Sequence, residues 1–397
     1  MKRLSVFLIT FLMMFALAAN VSAAPKERTV QVMLNGKAVT FQIAPVIIEN
    51  YTFVEFRSLF EQLGYTVDYA ESTKTIHALS AMHEIQMSLG GDVAFVDGKT
   101  VPVNGQMKIV QDRTMVGLRF VTELSGMKVD WDADAFQAII VDNGPTPEQV
   151  AAVFQILDQL LLAEDKSDAN ITIRLFAADS PLKDTIEKTI PAQMEKVKTK
   201  TEILKKRIAS YFASEAIMLT TEDTVKVSGE YFPNNVCDVK YTLRPGSDGQ
   251  WKIYSLELQN IKYTNVDELF DQAVAVPDDV KMGIEEVLND QVNATKSEDL
   301  DAYLATTTFN NEAQKEAVKQ QLQQVFAATD STPEVDKWSV VDYNDNDQAT
   351  ILLSLISEVN VGGQTVHTKV VLSNDLVKID GQWLFSPTSI VLSSEQL

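Results

Sequence analysis

The chain of 397 residues is poor in the side chains that most nucleophilic and metal chemistry uses, with one cysteine and three histidines. A single cysteine, Cys237, excludes an intrachain disulfide, so stability has to come from buried apolar surface. Its setting, Val236-Cys237-Asp238-Val239, alternates as a half-buried strand does. That predicts a small core residue, since nothing local would favour the thiolate. His77, His83 and His367 are too dispersed to gather three imidazoles on one copper ion, and no copper site is expected. No glycine-rich phosphate loop, zinc-type spacing or Ser/His/Asp arrangement stands out, so no catalytic, cofactor-binding or metal-binding residue is assigned. Positive charge is scarce as well, with 34 Lys and Arg against 55 Asp and Glu and a formal net charge of −21. Nucleic acids and anionic membranes, which need clustered basic residues, are therefore poor partners. The lysines between Lys183 and Arg207 are interleaved with Glu187, Glu195 and Glu202 and predict a solvated helix face.

Long apolar runs are absent except near the first residues. Lys2 and Arg3 precede an apolar stretch from Leu4 to Ala18, and Val21-Ser22-Ala23 offers a small-residue cleavage site. This pattern predicts a signal peptide over residues 1–23, because about 15 apolar residues fall short of the roughly 20 that span a bilayer. The expectation is a secreted or extracellular chain, either soluble or held at the cell surface by a partner, with no membrane span once the leader is removed.

What is present is repetition. Asn35-Gly36-Lys37, Thr52, Val54, Arg57, Glu61, Gly64 and Val67-Asp68-Tyr69 recur as Asp97-Gly98-Lys99, Thr114, Val116, Arg119, Glu123, Gly126 and Val129-Asp130-Trp131, every pair 62 residues apart. Such strict spacing indicates a duplicated structural unit. Asn35-Gly36 and Asp97-Gly98 are two-residue hairpin signals. Thr29 to Met33, Ala38 to Ile43, Thr75 to Leu79, Val93 to Val96, Thr100 to Val103 and Gln137 to Val141 read as strands. Val54 to Leu63 and Val116 to Leu124 read as helices, each closed by a glycine.

These motifs resemble the copper amine oxidase N-terminal domain, or stalk domain, over residues 28–143. The proline usual after the Val of the helix start is Glu55 in the first copy and Gly117 in the second. The resemblance implies a bacterial exported protein, of a kind common in spore-forming Gram-positive bacteria. It implies no oxidase chemistry, which belongs to a separate domain in the oxidases.

Gly144-Pro145-Thr146-Pro147 reads as a linker in which Thr146 or a neighbour can cap a helix, with Pro147 in its first turn and an amphipathic run from Glu148 to Leu162. A second helix is expected from Leu182 to Ile208, interrupted near Pro191. Strands follow at Tyr211 to Thr220, Thr224 to Tyr231, Val236 to Arg244 and Trp251 to Tyr263. The order then recurs: helices at Met282 to Val292 and Glu312 to Phe326, then strands at Lys337 to Tyr343, Thr350 to Val361, Val366 to Leu372 and Trp383 to Leu392. Asp248-Gly249-Gln250-Trp251 returns as Asp380-Gly381-Gln382-Trp383. Helices followed by antiparallel strands, with Asp-Gly-x-Trp entering the last, resemble the nuclear transport factor 2-like cone of the SnoaL and ketosteroid isomerase families. That resemblance places cone domains at 146–268 and 276–397 and implies a pocket between sheet and helices.

Within such a pocket, acid/base chemistry needs a carboxylate or imidazole in apolar surroundings, with a tyrosine or protonated acid beside it. The candidates are Tyr231 and Asp238 in the first copy and Tyr343 and His367 in the second, against the simpler reading of solvated strand residues. Asp342 to Asp347 has the oxygen spacing of a calcium loop, but Asp347 and Leu353 stand where glycine and glutamate are required, so a hairpin turn is expected. Asp130, Asp132 and Asp134 also alternate, and Asp130 has its counterpart in Asp68. Arg57 and Arg119 occupy equivalent helix positions, each four residues before a glutamate. They are read as ties between helix and sheet, with the anchoring of an anionic wall polymer as the functional alternative.

The fold class expected is α+β: a duplicated β-rich stalk domain with one helix per repeat, then two cone domains of helices on a curled antiparallel sheet. The expected function is a non-catalytic binding or scaffold protein of the bacterial cell envelope, with a cell-wall polymer or an envelope protein as partner. The alternative is a small-ligand carrier or enzyme using an apolar pocket in one cone. A deep apolar cavity holding an ionisable group favours the alternative, a filled core the scaffold. A chaperone for another exported protein would instead expose an apolar groove.

Overall fold

Short alternating stretches give short strands, and the N-terminal part of the chain consists of little else. The computed structural model describes residues 28–361 and 364–397, so the expected leader lies outside the described residues. The chain divides after Gly144 into two units. In the first, β1 (Gln31–Leu34), β2 (Lys37–Ala38), β3 (Val46–Ile48) and β4 (Tyr51–Glu55) lead into α1 (Phe56–Gln62), followed by β5 (Thr66–Ala70) and β6 (Thr75–Leu79). After β7 (Glu84–Ser88) come β8 (Val93–Val96), β9 (Lys99–Pro102), β10 (Met107–Val110), β11 (Arg113–Gly117), α2 (Leu118–Leu124), β12 (Lys128–Asp132) and β13 (Gln137–Val141).

These strands form three sheets, ordered β5-β6-β7-β8-β9, β10-β11-β4-β3 and β12-β13-β1-β2. At the middle of the second, Val54 pairs with Val116, its counterpart 62 residues on, while Met115 faces Glu55 and Gly117 faces Phe53. The apolar faces of all three sheets and both helices meet in one core, in which Phe60 packs edge-on to Phe56 and Tyr65. Gly64 (φ +86°) and Gly126 (φ +68°) follow the two helices in the left-handed conformation that ends them. The strand expected over Ala38 to Ile43 stops at Ala38. Beyond it the Thr40 and Gln42 amides donate to the Gln62 and Glu55 side chains rather than to a strand. Both helices also begin two residues later than expected, because Val54 and Val116 are held in the central sheet.

The second unit opens with α3 (Pro147–Lys166), α4 (Ala169–Leu175) and α5 (Lys183–Lys196). Thr146 and Gln149 form a capping box at the start of α3, with Pro147 in its first turn. β14 (Val197–Phe212), β15 (Glu215–Gly229), β16 (Asn235–Pro245) and β17 (Trp251–Tyr263) form an antiparallel sheet in chain order. Register shifts along β14 and β16 mark bulges, which bend and curl such a sheet. The helix expected over Leu182 to Ile208 is corrected: α5 runs through Pro191 and ends at Lys196, and the rest is β14. From Val197 to Ile203 every second residue is half-buried, a strand period masked by lysine and threonine. The strand expected across Tyr211 to Thr220 is likewise broken by a turn at Ala213 and Ser214, and β15 continues unbroken to Gly229.

A 3₁₀ turn (Asp267–Gln272) leads to a second set in the same order. It comprises α6 (Asp278–Lys296), α7 (Leu300–Ala305), α8 (Glu312–Ala328), β18 (Asp330–Tyr343), β19 (Gln348–Val361), β20 (Gln364–Ile379) and β21 (Gln382–Gln396). Equivalent details recur: Tyr211 packs against Trp251 and Tyr343 against Trp383. Phe176 bridges Ile253 as Thr307 bridges Phe385. The second sheet is buried on both faces. One packs on α6 through Ile351, Leu353 and Phe385. The other carries Val341, Leu352, Val371 and Leu392 against Leu269, Phe270, Tyr231 and Tyr263. Hence Ile351 to Ser354 are buried in succession, without the alternation of a one-faced sheet.

Candidate functional site

The best-formed concavity lies in the first set of the second unit, between α3, α5 and the inner face of β14 to β16, with a volume of about 280 Å³. Its walls are apolar where the helices supply them, through Leu157, Leu160, Leu161, Ile190 and Met194. The sheet supplies the polar groups, because Thr199, Thr201, Glu222, Thr224 and Tyr241 all line the same cavity. In the last turn of α3, Glu164 reaches across to β14. Its Oε1 accepts from the Thr199 and Thr201 hydroxyls at 2.6 and 2.9 Å, and its Oε2 from the Thr201 amide at 2.8 Å. Glu222 on β15 accepts on Oε1 from the Tyr241 phenol at 2.8 Å and from the Thr220 hydroxyl at 2.5 Å. Burial, and then the charge of Glu222, push the Tyr241 phenol well above its ordinary pKa. Its proton stays on oxygen and is directed at Glu222. Lys198, also bordering the cavity, is exposed.

The second set shows what the same fold does without these groups. Ala216 pairs with Leu243 as Ala349 pairs with Leu376, which puts Leu355 at the place of Glu222 and Asn374 at that of Tyr241. Thr201 faces Thr224 as Pro333 faces Ser357. Buried Ala163 and Ala294 bring Thr295 to the place of Glu164. The changes are concerted: Pro333 has no amide hydrogen to give, and the Thr295 hydroxyl turns back to the Gln291 carbonyl of its own helix. Val335, Leu353, Leu355 and Leu372 join an apolar cluster there. A recess of about 540 Å³ on the second set lies elsewhere, between α6, α7 and the β20–β21 turn.

None of the four acid/base candidates reaches the cavity. Asp238 accepts from Thr221 and Asn260, which hold its carboxyl below the usual range. Tyr231 packs between the two sets, and burial raises its phenol. Tyr343 lies against Trp383. His367 faces Glu358 near the end of a hairpin. Cys237 is buried, and burial raises its thiol. Asn344 closes the Asp342 to Asp347 segment as a hairpin turn, its Oδ1 accepting from the Asn346, Asp347 and Gln348 amides. His77 and His83 each pair with a carboxylate, Glu84 at 2.7 Å and Asp97 at 3.0 Å.

Arg57 and Arg119 do tie helix to sheet, but through carbonyl oxygens. Each Nη1 donates to a backbone oxygen of the following strand, Val67 at 3.3 Å and Val129 at 3.5 Å. Among the described residues no ion pair joins either arginine to the glutamate four residues on. Glu55 instead meets Arg113, from the other copy, at 3.6 Å. Arg119 also borders a shallow recess of about 150 Å³ with Tyr51, Gln106, Asp130 and Trp131.

The cavity residues Glu164, Glu222 and Tyr241 were not singled out from the sequence. Laying the two sets over each other strand by strand would have flagged Glu222, a charged residue opposite a leucine on an inward face.

Two families match the chain. The copper amine oxidase N-terminal domain matches residues 33–140. The C-terminal domain of anti-sigma-I factor RsgI9 matches twice, at 155–264 and 286–397. No curated protein matches. Among solved structures, a proposed aromatic ring hydroxylase from Novosphingobium aromaticivorans is similar at 15% identity, covering 31% of this chain and 96% of its own, with a TM-score of 0.27. A cystatin-like-fold protein of unknown function from Nostoc punctiforme is similar at 15% identity, covering 30% and 93%, with a TM-score of 0.25. An Ntf2-like protein involved in plasmid conjugation is similar at 9% identity, covering 60% and 98%, with a TM-score of 0.22. Among the described residues no helix is long and apolar enough to cross a membrane.

Proposed function

The chain belongs to the family of the anti-sigma-I factor RsgI9 C-terminal domain, two copies of which take up more than half of it. From that premise we propose that it is an exported, non-catalytic binding protein of the bacterial cell envelope, whose first cone receives a small ligand while the stalk and the second cone serve attachment. In this reading residues 1–23 are the leader, and 28–143 are two copies of one stalk repeat. The cones occupy 146–268 and 276–397. The recurrence of elements at 62 residues and the pairing of Val54 with Val116 support the stalk repeat. The repeated Tyr–Trp contacts support the cones.

The observation that carries the reading is the contrast between the cones. One keeps Glu164, Glu222 and Tyr241 around a cavity, and the other has Thr295, Leu355 and Asn374 at the same places. An apolar pocket with a few convergent polar groups is what small-ligand sites look like. This favours the carrier over the pure scaffold, and the carrier over the enzyme. Glu164 is fully engaged in holding β14, and Tyr241, with its phenol raised and its hydroxyl donating to Glu222, is a weak acid.

A protein partner is suggested by the anti-sigma factor named in the family, and a wall polymer by the stalk. The mature chain is expected to be retained saturably on purified cell wall or on one envelope protein, and Arg119→Ala to reduce wall retention several-fold without unfolding the stalk. Absence of saturable retention on either would sink the envelope reading.

A further inference from the structure

We propose that the cavity of the first cone takes a compact apolar amine, its ammonium group set against Glu222; this rests on the ligand-receiving reading above. The two carboxylates facing the cavity differ in how far they are already satisfied. Both oxygens of Glu164 accept hydrogen bonds from β14. Glu222 takes both of its donors on Oε1, and among the described residues none reaches Oε2. Lys198 is exposed at the rim and pairs with neither carboxylate. Glu222 therefore keeps an oxygen able to accept from a ligand, and an ammonium group is the donor that meets a carboxylate most strongly.

The second cone supplies an internal control. Leu355 stands where Glu222 does, so this fold needs no carboxylate at that position. The acid in the first cone is thus an addition to the scaffold, directed inward among Leu157, Leu161 and Ile203. The volume, about 280 Å³, lies just below the usual range for small-ligand sites and limits the ligand to a short chain or one or two rings. An anionic ligand is disfavoured by two glutamates on one cavity.

The test is calorimetric titration of the full chain, freed of its leader, with octylamine, 1-octanol and octanoate at pH 7. Octylamine is expected to bind one to one and at least about tenfold more tightly than 1-octanol, the usual worth of a hydrogen bond to a charged group. Octanoate is expected to bind more weakly than either. Glu222→Gln, which keeps the shape and a hydrogen-bond acceptor, should bring octylamine down to the octanol level and change octanol little, and Glu222→Leu, which copies the second cone, should also abolish the preference for the amine over the alcohol. Equal affinity for octylamine and octanol in the unaltered protein overturns the amine without needing any variant, and so does an amine preference that survives Glu222→Gln. Both results leave the cavity standing as a ligand site. No saturable binding of any of the three overturns the amine and the ligand-receiving reading together.

Discussion

Phe385→Ala is expected to destabilise the second cone by about 3–5 kcal/mol, the usual cost of deleting a buried phenyl ring. Phe385 is 1% exposed and packs with Val280, Ile284, Ile351 and Leu353 where sheet meets helix. Its backbone also holds the segment after α7, since its amide donates to Thr306 and its carbonyl accepts from Thr308, both at 2.9 Å. Removing the ring leaves a cavity under a docked loop, and the loop cannot follow it inward without breaking those bonds. Phe385→Ile should cost less, because the first cone carries Ile253 at the same place. Urea denaturation followed by tryptophan fluorescence, with Trp131 and Trp251 replaced by phenylalanine so that only Trp338 and Trp383 of the second cone report, reads this. A loss below about 1 kcal/mol for the alanine variant would mean that the core is not packed as described.

Leu269→Ala is expected to cost about 2–5 kcal/mol and, in addition, to uncouple the two cones. Leu269 is fully buried on the 3₁₀ turn between them, against Val341, Leu352, Val371 and Leu392 of the outer face of the second sheet. Val266 and Phe270 pack beside it, and just beyond the turn the Val274 amide donates to the Val340 carbonyl at 2.9 Å. The Lys337 ammonium lies 4.0 Å from the Phe270 ring centre, and Lys226 donates to Gln272 at 2.6 Å. A cation over an aromatic ring contributes about 0.5–1 kcal/mol at an exposed site, well short of a buried leucine. Scanning calorimetry should therefore show one transition for the pair of cones in the unaltered chain and two in the variant. A single, undisplaced transition in Leu269→Ala would show that the turn is not what couples them.

How much of this was legible in the sequence depends on which surface a residue faces. The stalk strands Thr75–Leu79, Val93–Val96 and Gln137–Val141 were predicted to the residue, because each is short, alternating and bounded by polar or glycine turns. The stretch from Val197 to Ile208, expected as the end of a helix, is strand. Its inward residues include Thr199 and Thr201, polar because they serve Glu164 rather than a hydrophobic core, so the period of two lost its apolar signal. That failure and the missed site have one cause. The cavity makes an inward face hydrophilic, and a reading based on apolar periodicity looks past such a face. The acid/base candidates failed for the converse reason: Asp238 and His367 were chosen by residue type, and strand alternation put them outside the cavity. Away from β14 the first cone read well, with Trp251–Tyr263 matched to the residue, whereas in the second cone β18 begins seven residues before the expected Lys337 and β20 runs seven past the expected Leu372.

The most direct test of the central claim is a crystal structure of the chain soaked in 1-octanol, which probes for a receptive cavity without presuming a charged ligand. One octanol is predicted in the first cone, its hydroxyl toward Glu222 and its chain along Leu157 and Leu161, with none among Thr295, Leu355 and Asn374 of the second. An empty first cone, or equal occupancy at both places, would contradict the division of labour between the two cones.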